Sequence, residues 1–216
     1  MNLQDIFTHL SSGELSQLFV GESGDIDIDS RKKIASSVEL GLIELYKEFL
    51  IKENTEAVTL TEGITDYVLA STDVVKVERI KDSMGREVSL NNLNDPCSFT
   101  FTEYNSFSIG DNYLSNQDLE SEMVSVTYRA AHPKLDMLLV GAYPAGIDIE
   151  LPSQYLNALL MFIAARVHTP VGMSPENQTG NEYLMKYKAA VAELNIHNIR
   201  QDRVSDSSNF HRNGWI

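Results

Sequence analysis

A chain of 216 residues with 43% hydrophobic side chains is long enough to bury one substantial core or two small ones, which argues against disorder throughout. Its 17 Lys and Arg against 31 Asp and Glu leave a formal charge of −14, which argues against a protein whose main task is gripping nucleic-acid phosphates. A lone cysteine, Cys97, provides neither a disulfide framework nor a thiolate metal cluster and suits a reducing cytoplasm.

Leu3, Ile6, Phe7 and Leu10 make one short helical stripe, and Ser12 can cap a further turn or two carrying Leu15, Leu18 and Phe19 before Gly21 to Gly24 ends the run. Asp5 and His9 interrupt the first ten residues, so no signal peptide is expected there. Gly24 to Ser30 has the alternating aspartates of a calcium loop, Asp25, Asp27 and Asp29. Ser30 stands at the sixth loop position in place of glycine and Ser36 at the twelfth in place of glutamate, so the ligand set is incomplete. The better reading has Asp27 and Asp29 capping the next helix and offsetting its Arg31-Lys32-Lys33 start. That helix runs from about Ser30 to Lys52, with Ile34, Val38, Leu42, Leu45, Tyr46 and Phe49 on one face.

From Ala57 to about Glu150 the period changes from 3.6 to 2, with turn residues at short intervals. Strands are predicted at Val58–Thr61, Tyr67–Ala70, Val74–Ile80, Arg86–Leu90, Ser98–Thr102, Phe107–Ile109 and Met123–Arg129. Ala130 to Ala145 returns the chain to the helices, with His132-Pro133 and Tyr143-Pro144-Ala145-Gly146 as corners. A helical hairpin follows. Its first helix starts near Pro152 and Ser153 and carries Tyr155, Leu156, Leu159, Leu160, Phe162 and Ile163, with Ala158, Ala164 and Ala165 permitting close approach. Pro170 and Gly172 stop it, Ser174-Pro175 starts the second helix, and Tyr183, Leu184, Tyr187, Ala190, Val191 and Leu194 follow at steps of three and four. From His197 to Ile216 the apolar periodicity is lost, and an extended arm is predicted that carries Arg200, Arg203, Phe210, His211, Arg212 and Trp215. The fold class is α+β: a bundle of the long N-terminal helix and the C-terminal αα-hairpin, with an inserted antiparallel β domain. The divisions fall at 1–56, 57–150, 151–196 and 197–216.

Catalytic chemistry has little to stand on. The histidines His9, His132, His168, His197 and His211 lack metal-ligand spacing, no nucleophile elbow or phosphate loop occurs, and Cys97 reads as a small packed residue. Tyr183 and Tyr187, four apart, read as helix packing and not as a stacking platform. No cofactor or metal is expected. The longest apolar run, Ala158 to Ala165, is too short for a bilayer span, so a soluble, intracellularly made protein without membrane contact is expected.

Ile149-Glu150-Leu151-Pro152-Ser153-Gln154-Tyr155-Leu156-Asn157-Ala158-Leu159, then Phe162-Ile163-Ala164-Ala165-Arg166, then Asn181-Glu182-Tyr183 and Tyr187, resembles the head–tail connector (adaptor) proteins of tailed bacteriophages. The similarity extends upstream to Val58-Thr59-Leu60-Thr61-Glu62-Gly63 and to Val124-Ser125-Val126-Thr127-Tyr128-Arg129-Ala130-Ala131-His132-Pro133-Lys134-Leu135. The resemblance implies a non-enzymatic structural protein of the virion neck, made in the host cytoplasm. Copies would form a ring, usually dodecameric, beneath the portal protein, would touch tail or nozzle proteins, and would line the channel that DNA passes during genome ejection without specific binding. Tyr155, Leu156, Leu159, Phe162, Ile163, Tyr183, Tyr187 and Val191 would pack the hairpin. Arg200, Arg203, Phe210, His211, Arg212, Trp215 and Ile216 would dock on the portal or on a neighbouring copy. The alternatives are a tail-completion or tail-tube protein of the same particle, and a small acid–base hydrolase built on the acids of the sheet domain.

Overall fold

The computed structural model describes residues 1–18, 20–21, 24–92, 98–110, 113–114, 121–168 and 176–205, of which 176–178 and 197–205 are described by their backbone alone. The chain is α+β. Among these residues the α-helices are α1 (Leu3–Ser12), α2 (Ile28–Glu48), α3 (Met137–Ala142), α4 (Leu156–Val167) and α5 (Glu176–Ser205). The strands are β1 (Glu53–Thr61), β2 (Asp66–Val68), β3 (Val74–Lys81), β4 (Thr100–Glu103), β5 (Ser106–Ser108) and β6 (Ser121–Ala130). The chain divides into two compact units, one made of Met1–Leu42 with Lys134–Ile216 and the other of Ile43–Pro133.

In the first unit, α1 opens on a reciprocal cap: Asn2 Oδ1 accepts from the Asp5 amide and Asp5 Oδ2 from the Asn2 amide, both at 2.9 Å. Its stripe of Leu3, Ile6, Phe7 and Leu10 is buried. The chain start is laced to the segment before α4, because Leu3 N–H donates to Ile147 O at 2.9 Å and Ile149 N–H to Met1 O at 2.8 Å. Residues 134–150 therefore belong with the helices and not with the sheet, a correction to the division at 150. Gly41 of α2 receives side chains from α4. A Cβ there would lie 2.6 Å from Leu159 Cδ1 and 2.9 Å from Phe162 Cδ1, so any larger residue at this position must displace them. A 3-10 turn at Ser153–Tyr155 leads into α4, whose Ala158, Leu159, Leu160, Ile163, Ala164 and Ala165 are buried.

The second unit holds two small antiparallel sheets, ordered β1-β6-β3 and β2-β5-β4. One core joins them: Leu60, Val77, Ile80, Val124, Val126 and Tyr128 from the first meet Tyr67, Phe107 and Ile109 of the β2–β5 hairpin region and Phe99 beside β4. Phe99 stacks on Phe107 with ring centres 5.6 Å apart and receives the edge of Tyr113 at 4.8 Å. The end of α2 also belongs here, since Lys47 O accepts from Arg129 Nη1 at 2.7 Å and the Tyr46 ring meets His132 edge-on at 5.5 Å.

Three further expectations are corrected. The long helix ends at Glu48 and not Lys52, because the carbonyl of Lys52 is drawn into the sheet by the Ala130 amide at 2.9 Å. Arg86–Leu90 makes only isolated bridges, Lys81 to Glu87 and Leu90 to Phe99, because the Asp82 side chain takes the Met84 and Arg86 amides and curls the chain. Past Ile196, α5 continues to Ser205, so nine residues assigned to an extended arm are helical. No glycine or proline stands between Asn181 and Ser205, and Ala, Leu, Glu and Arg among them favour helix without needing a buried face.

Candidate functional site

The two helices of the hairpin are buried to very different degrees. α4 has a buried face, whereas in α5 the residues that lean on it, Tyr183, Tyr187, Ala190, Val191 and Leu194, are half-buried. Phe162 meets the Tyr187 ring edge-on at 5.3 Å and His168 stacks on Tyr183 at 5.2 Å. This is an antiparallel register. Carried along, it brings Leu156, the first residue of α4, level with Leu194, so the last residues of α5 overrun α4 by about 16 Å at 1.5 Å per residue.

On the opposite side of α5, Met185, Ala189, Ala192 and Ile196 form a second apolar stripe that nothing among the described residues covers; Met185 is 65% exposed and Ile196 54%. Their spacing of four, three and four is that of a helix seam, and two alanines at its centre allow a neighbouring backbone to come close. Lys188 on one side and Glu182 and Glu193 on the other flank it with both signs of charge. A shallow groove bordered by Asn181, Glu182, Met185 and Lys186 runs into its start.

At the corner of the hairpin, His168 Nε2–H donates to Glu14 O at 2.9 Å, and Lys186 Nζ sits 4.9 Å from the centre of the Tyr183 ring. Glu14 Oε2 is buried without a hydrogen-bond partner among the described residues. Burial first, then the carboxylates of Glu14 and Glu182, push the Tyr183 phenol above its ordinary pKa, so it stays neutral and packs as an aromatic ring.

Of the residues singled out in the sequence, Tyr155, Leu159 and Ile163 are buried and Leu156, Phe162, Tyr183, Tyr187 and Val191 half-buried in the hairpin. Arg200 and Arg203 lie on the overrunning end of α5. Phe210, His211, Arg212, Trp215 and Ile216 lie outside the described residues, as do Phe19 and Cys97. His9 is exposed on α1, His132 sits against Tyr46 in the sheet unit and His168 at the hairpin corner, so these three do not gather. Among the described residues no three His, Cys, Asp or Glu side chains could hold a metal ion, and Asp25, Asp27 and Asp29 form no such set. Gly21 instead makes room for Asp27, whose Oδ1 would lie 2.7 Å from a Cβ at that position. Among the described residues no helix is long and apolar enough to cross a membrane.

Sequence reading missed the outer stripe. Its residues are visible at helical spacing, but a helix with apolar residues on two opposite sides has no single polar face, and the stripe beginning at Tyr183 accounts for the helix by itself. No protein-family model matches the chain, and no curated protein aligns with it.

Proposed function

We propose that the chain is a ring-forming structural protein, a head–tail connector of a tailed bacteriophage that sits beneath the portal and joins the DNA-filled head to the tail. The observation that carries this reading is the bare seam of Met185, Ala189, Ala192 and Ile196, opposite the side of α5 that packs on α4. A helix with two opposite apolar stripes needs a partner on each, and one of them lies in the same chain. In a ring each α5 would bring its outer stripe to the next copy, and the helices α1, α2, α4 and α5 would form the bundled wall. The sheet unit would then face the tail or nozzle proteins, and the residues beyond Ser205 would dock on the portal. A surface carrying −14 per copy lets DNA pass without adhering, since like charges repel along the channel. The role is geometric and calls for no cofactor and no reaction.

Mass measurement of the chain with and without the portal protein tests it. The expected result is a large ring only on the portal, lost in Ala189→Glu while the far-ultraviolet circular dichroism and melting temperature of the free chain stay unchanged. Removing residues 206–216 should abolish capture by the portal without changing the fold. Rings that form equally well with glutamate in the seam would sink the proposed contact, and undiminished capture by the shortened chain would remove the arm from it.

A further inference from the structure

The sheet β1-β6-β3 guards one of its edges and leaves the other bare. β3 is interrupted by register shifts between Val74 and Lys76 and between Val77 and Arg79. Its far end is covered by the returning chain, where Val88 N–H donates to Ile80 O and Asp82 N–H to Arg86 O, both at 2.9 Å. Bulges and covering segments are the usual protection of an edge. Among the described residues β1 has neither: its register with β6 runs unbroken from Glu53 to Thr61, and from Glu56 to Thr61 it contains no lysine and no proline.

The bond from the Ala130 amide to Lys52 O fixes which way each residue of β1 faces. In an antiparallel ladder alternate residues bond inward. Lys52, Asn54, Glu56, Val58 and Leu60 therefore turn their N–H and C=O to β6, and Glu53, Thr55, Ala57, Thr59 and Thr61 turn theirs outward. At Thr61 the Tyr67 hydroxyl takes both, accepting from the amide at 2.8 Å and donating to the carbonyl at 3.2 Å. Among the described residues, the outward groups of Thr55, Ala57 and Thr59 have no partner, and these three residues are exposed. The two nearby carboxylates are no guard either. Glu53 is tied to Arg79 at 3.1 Å, and Glu56 is turned to the inner face, where it accepts from the Ala70 amide at 2.7 Å and the Ser71 amide at 3.1 Å.

We infer that β1 pairs antiparallel with β1 of a second copy of this chain, about a two-fold axis at Ala57. This register uses the whole free run. Thr55 lies opposite Thr59 and Ala57 opposite its own mate, each pair exchanging two backbone hydrogen bonds, and threonine pairs are favourable cross-strand neighbours. It also satisfies charge: Glu53 falls opposite Thr61, Glu56 opposite Val58, and Lys52 level with Glu62, so no carboxylate faces another. An axis at Glu56 would set two glutamates against each other, and one at Val58 would need the occupied groups of Thr61. The pairing is isologous and closed, involves no residue of α5, and stands or falls separately from the ring contact.

Sedimentation equilibrium and amide hydrogen exchange on the full chain test it. One strand pair buries far less than the roughly 1,600 Å² of a standard interface, so a dimer with a dissociation constant of about 10–100 µM is expected. Raising the concentration should slow exchange of the Thr55, Ala57 and Thr59 amides and leave those of Asn54, Glu56 and Val58 unchanged. Ala57→Pro removes an outward N–H and spares the ladder to β6, and it should weaken the dimer at least about tenfold. Thr59→Lys, which keeps every backbone group, should do the same and decides the matter if the proline variant melts. Ala189→Glu should leave the dimer intact. A chain that stays monomeric at about 1 mM, or a dimer that persists in both β1 variants, overturns the pairing.

Discussion

Among the described residues only one oxygen of the Glu122 carboxylate is engaged: Oε1 accepts from the Ser83 amide at 3.3 Å and its hydroxyl at 3.0 Å, while Oε2 is buried with no partner there. Glu122→Gln keeps the acceptor for Ser83 and removes a charge from an unpartnered buried oxygen. Urea titration should find it as stable as the parent or more stable by about 1 kcal/mol, and Glu122→Ala less stable by about 1–2 kcal/mol. A glutamine variant weaker than the alanine variant would reverse this account. Asp82 behaves differently. Burial alone would raise its pKa, but the amides of Arg86 and Met84 and the Arg86 guanidinium, with Nε 2.7 Å from Oδ2, outweigh it and hold the carboxyl below its usual range. A lowered carboxyl pKa contributes stability that is present above the unfolded value of about 4 and is lost as pH falls through the folded one. Asp82→Asn should therefore be weaker than the parent at neutral pH and equal to it near pH 2, a convergence that urea midpoints across the acid range would reveal.

At the scale of elements, the crossing of α2 and α4 at Gly41 sets two effects against each other. Gly41→Ala gains about 1 kcal/mol of helix propensity, but its methyl must push the buried Leu159 and the Phe162 ring, and overpacking of this kind costs about 1–3 kcal/mol. The net expectation is a modest loss in melting temperature, and a large one for Gly41→Leu. A leucine variant as stable as the parent would mean that the helices can part freely. α1 was readable from Leu3, Ile6, Phe7 and Leu10, and β6 from the alternation of Val124, Val126 and Tyr128, because each has one buried face and its period survives in the side chains alone. The end of α2 was not readable: helical spacing continues to Lys52, and what stops the helix is a hydrogen bond from Ala130, far away in sequence. The Arg86–Leu90 stretch alternates like a strand, yet the Asp82 side chain competes for its amides. The outer seam of α5 went unread for the opposite reason, since one stripe on the helix sufficed to explain it.

For the molecule as a whole, charge opposes self-association. Each copy brings −14, so any contact between copies works against long-range repulsion that salt screens within about 10 Å at 0.1 M. Assembly through the α5 seam should strengthen as salt is raised from about 20 to 300 mM, because an apolar contact loses nothing to screening and the repulsion weakens. Light scattering against salt concentration reads this directly, and assemblies that dissolve on adding salt would point to ion pairs instead. The seam also carries a handedness. Apolar residues spaced four, three and four repeat every 3.5 residues and not every 3.6, so two helices meeting along Met185, Ala189, Ala192 and Ile196 must lean across each other in a left-handed sense by about 20°. Repeated around a closed circle, the same small lean makes every rod slant the same way, like the staves of a twisted barrel. An image too coarse to resolve any side chain would still tell the slant from its mirror.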